Sequence, residues 1–274
     1  MGPGIAQVAA VAGITTFLVD VEDAALLRAR TQIQGTLAGA VTRKKLTAAE
    51  AEAALDRIRA TTTLEDAVPG AELVIEAIVE SLAEKCTLFS RLDEIADSDA
   101  LLATNTSSLS VASIASATRS PDRVVGMHFF NPVHIMKLVE VVAHAGASRL
   151  SIERAQEMSR VMGKHPIVVR DSPGFASSRL GVALGLEAMR MLQEDVASAE
   201  DIDTAMELGY GHAMGPLRVS DLVGLDVRLS IAEYLHSTLG TALFEPPAIL
   251  KDKVAGGELG KKTGKGFYQW PRTS

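Results

Sequence analysis

A histidine and a glutamate, His128 and Glu140, stand twelve residues apart in a stretch that reads as strand, sharp turn, strand. Residues 123–130 are rich in β-formers, Asn131-Pro132 is a turn dipeptide, and residues 137–142 form a second apolar run. A hairpin of this kind can bring the two side chains together, so that the carboxylate holds one imidazole nitrogen while the other faces a substrate. This is the arrangement of a general base. The pair alone is equally compatible with a buried core histidine beside a strand-end charge.

The pair lies within a regular alternation of apolar strands and helices. Further strands are predicted at 14–20, 72–77, 101–104 and 167–170, and helices at 5–12, 22–45, 47–60, 110–117 and 148–162, with one more opening at Ser81. This alternation predicts an α/β fold, a doubly wound parallel sheet with helices on both faces. After residues 171–174 the pattern to about Leu239 is almost entirely helical. We therefore place a domain boundary at 170/171, between an α/β domain at 1–170 and an all-α domain at 171–274.

Composition narrows the class of protein. At 274 residues and 28.9 kDa the chain is long enough for two hydrophobic cores. No apolar run approaches the roughly 20 residues that a membrane-spanning helix needs, so no membrane segment is predicted. The net charge of −7 argues against a nucleic-acid partner, which usually requires a basic surface. The single cysteine, Cys86, excludes an internal disulfide and, with no export signal visible, predicts a cytoplasmic protein.

Metal chemistry is not predicted. Apart from His128, the histidines show no metal-ligand spacing with nearby acids or with Cys86. They stand at His134, His144, His165, His212 and His236. The basic cluster Arg43-Lys44-Lys45 is better explained as a solvated helix end than as a phosphate site.

The start of the chain carries features of a dinucleotide site. Such a fold begins with a strand, a glycine-rich turn and a helix N-terminus that holds the pyrophosphate, and an acid after the second strand binds the adenosine ribose. Asp20 ends a predicted strand, and Gly2 and Gly4 precede the helix at 5–12. The chain is expected to begin inside the glycine turn, with the first strand and the first two glycines absent. Gly2 and Asp20, 18 residues apart, together predict the site.

With these residues in place, the chain resembles the short-chain L-3-hydroxyacyl-CoA dehydrogenases, including bacterial 3-hydroxybutyryl-CoA dehydrogenases, over essentially its whole length. Several segments carry the resemblance in the family's order and spacing. On the nucleotide side these are residues 1–10, Val19-Asp20, 76–80, Lys85 and 104–109; in the catalytic segment, 128–132 and 138–140; in the helical part, 171–175, 215–217, 221–226 and 260–268.

The resemblance implies an NAD-dependent oxidoreductase that interconverts (3S)-3-hydroxyacyl-CoA and 3-oxoacyl-CoA in fatty acid metabolism. His128 would take the proton from the 3-hydroxyl while hydride leaves C3 for the nicotinamide, and Glu140 would orient the imidazole and stabilise its protonated form. Ser107 and Asn131 would hydrogen-bond near the reacting oxygen and the nicotinamide. The other implied cofactor-binding residues are Gly2, Gly4, Asp20, Ala77, Glu80 and Lys85. The charge of Asp20 would repel a 2′-phosphate, which favours NAD over NADP.

The resemblance also assigns roles to the two domains. Residues 1–170 would bind NAD, and residues 171–274 would bind the acyl-CoA substrate and form a homodimer. The family often has an asparagine where this chain has Ser178, so a substrate contact by the shorter Ser178 hydroxyl is in doubt. Lys85 could instead lie on a solvated helix face.

Two other functions stay open at this point. One is a dehydrogenase of a small hydroxy acid or sugar acid, similar to gulonate dehydrogenase, although His128-Phe-Phe-Asn-Pro132 favours the acyl-CoA reaction. The other is a non-catalytic homologue that keeps the scaffold but cannot hold the dinucleotide. We expect the natural reading frame to continue upstream through an apolar strand that ends in Gly-x-Gly-x, and the 274-residue form to bind NAD weakly.

Overall fold

The computed structural model describes residues 1–271 of the chain. The contacts within it divide the chain into two compact units, the first ending at Ser172 and the second beginning at Pro173. This division lies two residues after the boundary predicted at 170/171.

The first unit alternates helices and strands along the chain. Its helices are α1 (Gly2–Val11), α2 (Asp23–Thr42), α3 (Ala48–Asp56), α4 (Leu82–Ile95), α5 (Val111–Ala115) and α6 (Arg149–Val161). Its strands are β1 (Thr16–Val19), β2 (Ile58–Thr61), β3 (Leu73–Glu76), β4 (Leu101–Thr104), β5 (Val124–Phe129), β6 (Leu138–Ala143) and β7 (His165–Arg170). The predicted α/β class is confirmed.

The strands form two sheets. β1 pairs with β2 in parallel, and the larger sheet has the order β3-β4-β5-β6-β7. Its pairs are parallel except β5 and β6, which are antiparallel. The antiparallel pair is the hairpin-like return predicted for the stretch that carries His128 and Glu140.

Helices cover both faces of the five-stranded sheet. On one face, Met127 and Phe129 of β5 pack in a cluster with Ile5 of α1 and Ala155 of α6. On the other, Val124 of β5 packs with residues of α4 and α5, including Phe89 and Ile114. Because successive residues of a strand point to opposite faces, His128 shares the α4–α5 side of the sheet with Val124 and Gly126.

The helix predicted at 47–60 is wrong at its C-terminal end. α3 ends at Asp56, and Ile58–Thr61 form β2, which no sequence pattern had indicated. An alanine-rich helix pattern runs into this segment without a break, but Ile58 packs against the small core of α1, α2 and α3. Pairing of β2 with β1 therefore outweighs the local helical preference.

The second unit is helical, as predicted. Its helices are α7 (Ser177–Gln193), α8 (Ala199–Tyr210), α9 (Pro216–Val223), α10 (Leu225–Leu239) and α11 (Ala248–Ala255). They enclose a core built around Leu186, Leu217, Leu225 and Leu235. Buried Asp221 of α9 accepts hydrogen bonds from the backbone N–H groups of Phe267 and Tyr268 at 2.9 Å each and so fastens the end of the described chain to the helices.

Within residues 1–271, no helix is long and apolar enough to cross a membrane. The same residues contain no cluster of histidine, cysteine, aspartate or glutamate side chains that could hold a metal ion.

Candidate active site

His128 and Glu140 lie directly opposite each other in the β5–β6 pair. His128 Nδ1 is 2.8 Å from Glu140 Oε2, and the two side chains are 8% and 0% exposed. A carboxylate at this position accepts a hydrogen bond from Nδ1–H and fixes the ring, so a proton exchanged with a substrate passes through Nε2. Phe130 packs its ring 4.5 Å from the imidazole, centroid to centroid. The predicted proximity of the pair is confirmed.

A glycine lets the two strands come close beside this pair. Gly126 faces Val142 in the register, and a Cβ atom on Gly126 would lie 2.7 Å from Val142 Cβ and 3.1 Å from Val111 Cγ2. Gly126 and His128 are on the same side of β5, as Val142 and Glu140 are on β6. The glycine therefore allows α5 and β6 to pack against β5 two residue pairs away from the dyad, on the same side of the sheet.

The loop after β4 carries Ser107 and is fastened to the dyad strand. Asn105, which is buried, accepts a hydrogen bond from the backbone N–H of Phe129 at 2.8 Å, immediately after His128. Ser107 is half-buried, and its hydroxyl makes no hydrogen bond to any residue that the structure describes. The structure thus holds the hydroxyl on a loop tied to the histidine strand. The sequence analysis had placed Asn105 in a family segment without giving it a role, since a single asparagine after a strand is an ordinary loop residue.

Glu80 binds the same loop from the other side. Its Oε1 accepts hydrogen bonds from Thr106 Oγ1 at 2.5 Å and from the backbone N–H of Ser107 at 2.8 Å. The Glu80 side chain is 40% exposed. Two of the residues predicted on the cofactor side, Glu80 and Ser107, are therefore in direct contact.

Lys85 is not on a solvated helix face, because its side chain is only 1% exposed. Its ammonium nitrogen is 2.6 Å from Glu76 Oε1 and 3.4 Å from Glu80 Oε2. Its predicted contact with the cofactor remains a prediction, and its position behind Glu80 suggests an indirect route. Sequence analysis had placed Glu76 in a family segment without giving it a role.

Asn131 begins the exposed loop between β5 and β6. Lys164, after α6, donates hydrogen bonds to the carbonyl oxygens of Val133 and Met136 and holds this loop to the body of the unit. Burial, followed by the charges of Arg43 and Lys164, lowers the pKa of His134 in the same loop.

The first turn of α1 packs against that loop. A Cβ atom on Gly4 would lie 2.9 Å from Val133 Cβ, so only glycine allows the approach. A small cavity, open to solvent, lies at this point, lined by the first turn of α1, by residues 131–134 and by Gln32, Ile33 and Thr36 of α2. Gly4 and Asn131, predicted as cofactor-binding residues, share this cavity.

Asp20 follows β1 and is exposed. Its Oδ1 accepts a hydrogen bond from the backbone N–H of Glu22 at 3.1 Å, which shapes the turn into α2. Leu18, two residues earlier, is the nearest neighbour to the Cβ position of Gly2, at 3.9 Å. Asp20 and Gly2 therefore belong to the same end of the first unit.

Most of the predicted residues of the first unit lie at one edge of the five-stranded sheet, because its parallel strands end there, while Asp20 follows a strand of the two-stranded sheet. Asp20, Ala77 and Ser107 follow the carboxyl ends of β1, β3 and β4, and His128 lies near the end of β5. This edge is where ligands bind in open α/β sheets. Ser178 lies in the first turn of α7, in the second unit, and its contact with a substrate remains a prediction.

These residues fit a dinucleotide. The N-terminus of α1 has no side-chain cap and no acidic residue in its first turn, so its helix dipole suits a phosphate group. The exposed carboxylate of Asp20 suits ribose hydroxyls, and the Ser107 hydroxyl can turn toward a ligand. These residues are therefore compatible with the dinucleotide that the fold implies.

Comparison with known proteins matches nearly the whole chain to one family. A family model described as 3-hydroxyacyl-CoA dehydrogenase, NAD binding domain, matches residues 1–172, and a second, the C-terminal domain of the same enzyme family, matches residues 174–270. A probable 3-hydroxybutyryl-CoA dehydrogenase of Bacillus subtilis (strain 168) is 43% identical over 270 residues, which cover 98% of this chain and 94% of the relative.

Solved structures agree with these matches. The crystal structure of FadB2 of M. tuberculosis superposes with a TM-score of 0.95 at 41% identity, covering 99% of this chain and 95% of that one. The (S)-3-hydroxybutyryl-CoA dehydrogenase PaaH1 from Ralstonia eutropha gives a TM-score of 0.94 at 37% identity, with the same coverage.

Proposed function

We propose that this chain, an NAD-dependent oxidoreductase that belongs to the 3-hydroxyacyl-CoA dehydrogenase family, reversibly converts (3S)-3-hydroxybutyryl-CoA to acetoacetyl-CoA at His128. The contact between His128 Nδ1 and Glu140 Oε2 at 2.8 Å is the observation that carries the proposal. The names of the relatives support the short acyl chain and the (3S) configuration.

His128 acts as the general base in oxidation and as the general acid in reduction. Glu140 holds Nδ1, so Nε2 takes the proton from the 3-hydroxyl group. The buried carboxylate stabilises the imidazolium that forms, as an acid does in other histidine dyads. NAD, when bound, supplies the acceptor for the hydride that leaves C3.

Ser107 and Asn131 orient the reacting groups. The Ser107 hydroxyl hydrogen-bonds to the substrate's 3-oxygen, and Asn131, beside the cavity at the first turn of α1, hydrogen-bonds near the nicotinamide. Ser178 contributes a weaker polar contact to the substrate from the helical unit. Gly2 and Gly4 allow close approach to the pyrophosphate, Asp20 binds the adenosine ribose, and Ala77, Glu80 and Lys85 support the cofactor side.

The protein functions as a homodimer in a reducing cytoplasm. Large apolar side chains on the helical unit support dimerisation, since Leu180, Leu208 and Tyr210 are 72%, 84% and 78% exposed. A second copy of the chain would remove these apolar side chains from water. Cys86, which is free, suits a reducing compartment.

His128→Gln tests the assignment. The amide keeps a side chain of similar size but cannot exchange the proton, so we expect kcat for 3-hydroxybutyryl-CoA oxidation to fall by about 10²- to 10⁴-fold. NADH binding, measured by fluorescence, should remain nearly unchanged because the cofactor contacts lie elsewhere. Retention of more than about half of the wild-type kcat would remove His128 from the reaction.

Gulonate provides the control for substrate class. Wild-type protein should turn over 3-hydroxybutyryl-CoA with a far higher kcat/KM than gulonate. The reverse preference would move the enzyme to the sugar-acid dehydrogenases, while the absence of both activities together with weak NADH binding would indicate a non-catalytic protein.

A further inference from the structure

A buried ammonium lies between two carboxylates beneath the loop that carries Ser107. Lys85 contacts Glu76 Oε1 at 2.6 Å and Glu80 Oε2 at 3.4 Å, and its side chain is only 1% exposed. The Glu76 side chain is fully buried, whereas that of Glu80 is 40% exposed. Glu76 is thus the buried partner of the Lys85 ammonium, and Glu80 is the partner that reaches the surface of the site.

Glu76 is held in place by three donors. Its Oε1 accepts hydrogen bonds from Lys85 at 2.6 Å and from the backbone N–H of Ile78 at 2.7 Å, and its Oε2 accepts one from Thr104 Oγ1 at 2.7 Å. A buried charge is tolerated only when it is paired and its lone pairs are satisfied. The donors satisfy both conditions, so Glu76 is a fixed counter-charge for Lys85.

Glu80 connects this fixed charge to the loop. One carboxylate oxygen faces Lys85. The other accepts hydrogen bonds from the hydroxyl of Thr106 and from the backbone N–H of Ser107. A half-exposed glutamate on a surface would otherwise sample several rotamers, at little cost in free energy. Lys85 selects the rotamer that binds the loop.

The same loop contacts β5, the strand that carries His128, through Asn105, whose side chain accepts a hydrogen bond from the backbone N–H of Phe129. The loop is therefore tied to Glu80 at Ser107 and to β5 next to His128. A shift of Glu80 would therefore move the backbone of Ser107 relative to the strand that carries His128.

We propose that Glu76 is a positioning residue for the reaction: through Lys85 and Glu80 it sets the Ser107 hydroxyl at the distance from His128 that the substrate's 3-oxygen requires. The inference rests on the proposed function for the roles of Ser107 and His128. It adds a residue, Glu76, that touches neither substrate nor cofactor.

Glu76→Gln tests the proposal with an isosteric change. The amide removes the charge that holds Lys85, so Glu80 should lose its preferred rotamer and the Ser107 N–H its acceptor. We expect kcat to fall by about 10- to 100-fold with a KM for 3-hydroxybutyryl-CoA within about threefold of wild type, because small misplacement near a reacting group is costly. In the substrate-free protein, amide hydrogen exchange at Ser107 should become about tenfold faster.

A double variant separates positioning from stability. In the Glu76→Gln variant the buried Lys85 ammonium loses its buried counter-charge. The added Lys85→Met change removes this ammonium, so the midpoint of thermal unfolding should return toward wild type. Lys85→Met also removes the cation that faces Glu80, so kcat should stay low and exchange at Ser107 fast. Recovery of kcat along with thermal stability would overturn the proposal, since Glu76 would then act only through folding.

Asp93→Asn is the matched control. Asp93 is another buried carboxylate of the first unit that binds cations, Arg119 and Arg123, and it makes no contact with the Ser107 loop among the described residues. Its amide variant should lose stability but keep kcat and the exchange rate at Ser107.

The exchange measurement also keeps the two proposals apart. If the wild type lacks activity on 3-hydroxybutyryl-CoA while exchange at Ser107 responds to Glu76→Gln, the proposed function fails but the link from Glu76 to the loop stands. An active wild type whose Ser107 exchange does not change in the Glu76→Gln variant overturns the inference alone.

Discussion

At the scale of single residues, the contacts sort the predicted site into groups with different tasks. His128 and Glu140 touch each other, Glu80 touches the backbone of Ser107, and Lys85 lies behind Glu80. Asp20 stands apart after β1, with one oxygen engaged by the turn into α2. Its exposed position makes it the residue at which cofactor choice can be tested without disturbing the dyad.

Asp20→Arg should erode the preference for NAD. The carboxylate accepts hydrogen bonds from ribose hydroxyls, and a 2′-phosphate would place about two like charges beside it. We expect the ratio of kcat/KM for NAD over NADP to fall by about 10- to 100-fold. Steady-state kinetics with both cofactors measure the ratio.

Asp20→Asn is the matched control for this prediction. The amide oxygen can still accept the Glu22 N–H and keep the turn, while the charge is lost. The ratio should therefore lie between those of wild type and Asp20→Arg. An equal preference for the two cofactors in the wild-type protein would contradict the assignment of Asp20.

Residue types and spacing predicted that His128 and Glu140 meet, because a strand–turn–strand pattern forms a hairpin, but only the family resemblance gave the pair a catalytic task. They could not assign a task to Glu76 or Asn105. Both act through contacts with residues 9 to 28 positions away, such as Glu76 with Lys85 and Thr104 and Asn105 with Phe129. Contacts of this kind depend on which strands become neighbours, and one sequence does not contain that information.

At the scale of elements, the dyad depends on the close packing of β5, β6 and α5. Gly126 is the position where all three meet, as its missing Cβ leaves room for Val142 and Val111. The sequence analysis assigned both strands but gave this glycine no role, because a glycine inside a strand has several common explanations.

Gly126→Ala should therefore weaken both the fold and the reaction. The added Cβ would lie 2.7 Å from Val142 Cβ, so β5 and β6 must separate or slide near His128 and Glu140. Overpacking of this kind typically costs about 1–3 kcal/mol of unfolding free energy. We expect kcat to fall as well, since the histidine–glutamate contact is the next pair on the same side. Urea unfolding and steady-state kinetics give the two numbers.

Gly35→Ala is the control for adding a methyl group elsewhere. Gly35 is exposed on α2, and no atom lies within 4 Å of its Cβ position. This variant should gain about 0.5–1 kcal/mol because alanine favours the helix, and its kcat should not change. Equal behaviour of the two alanine variants would show that the packing at Gly126 is not critical.

At the scale of the whole chain, the two units were predictable because their patterns differ. Alternating strands and helices end at Arg170, and a helical pattern follows, so composition and periodicity alone separate an α/β part from an α part. The short strand β2 was missed since four residues after an alanine-rich helix carry too little periodic signal. Local patterns thus predicted the architecture, and long-range pairing supplied the rest.

Folded stability should carry an acid-sensitive component from Asp93. Burial opposes ionisation of this side chain, but hydrogen bonds from Arg119 and Arg123 outweigh it and lower the pKa of Asp93 to about 2. With an unfolded value near 4, its stabilisation is complete above about pH 4 and is lost as pH falls through 2, a change of about 2 kcal/mol. The difference in unfolding free energy between wild type and Asp93→Asn, measured in urea from pH 6 to pH 2, should shrink by that amount. Glu65→Gln, which removes a surface ion pair with Arg91, should show little effect. A difference for Asp93→Asn that stays constant with pH would mean that Asp93 is held by packing rather than by its charge.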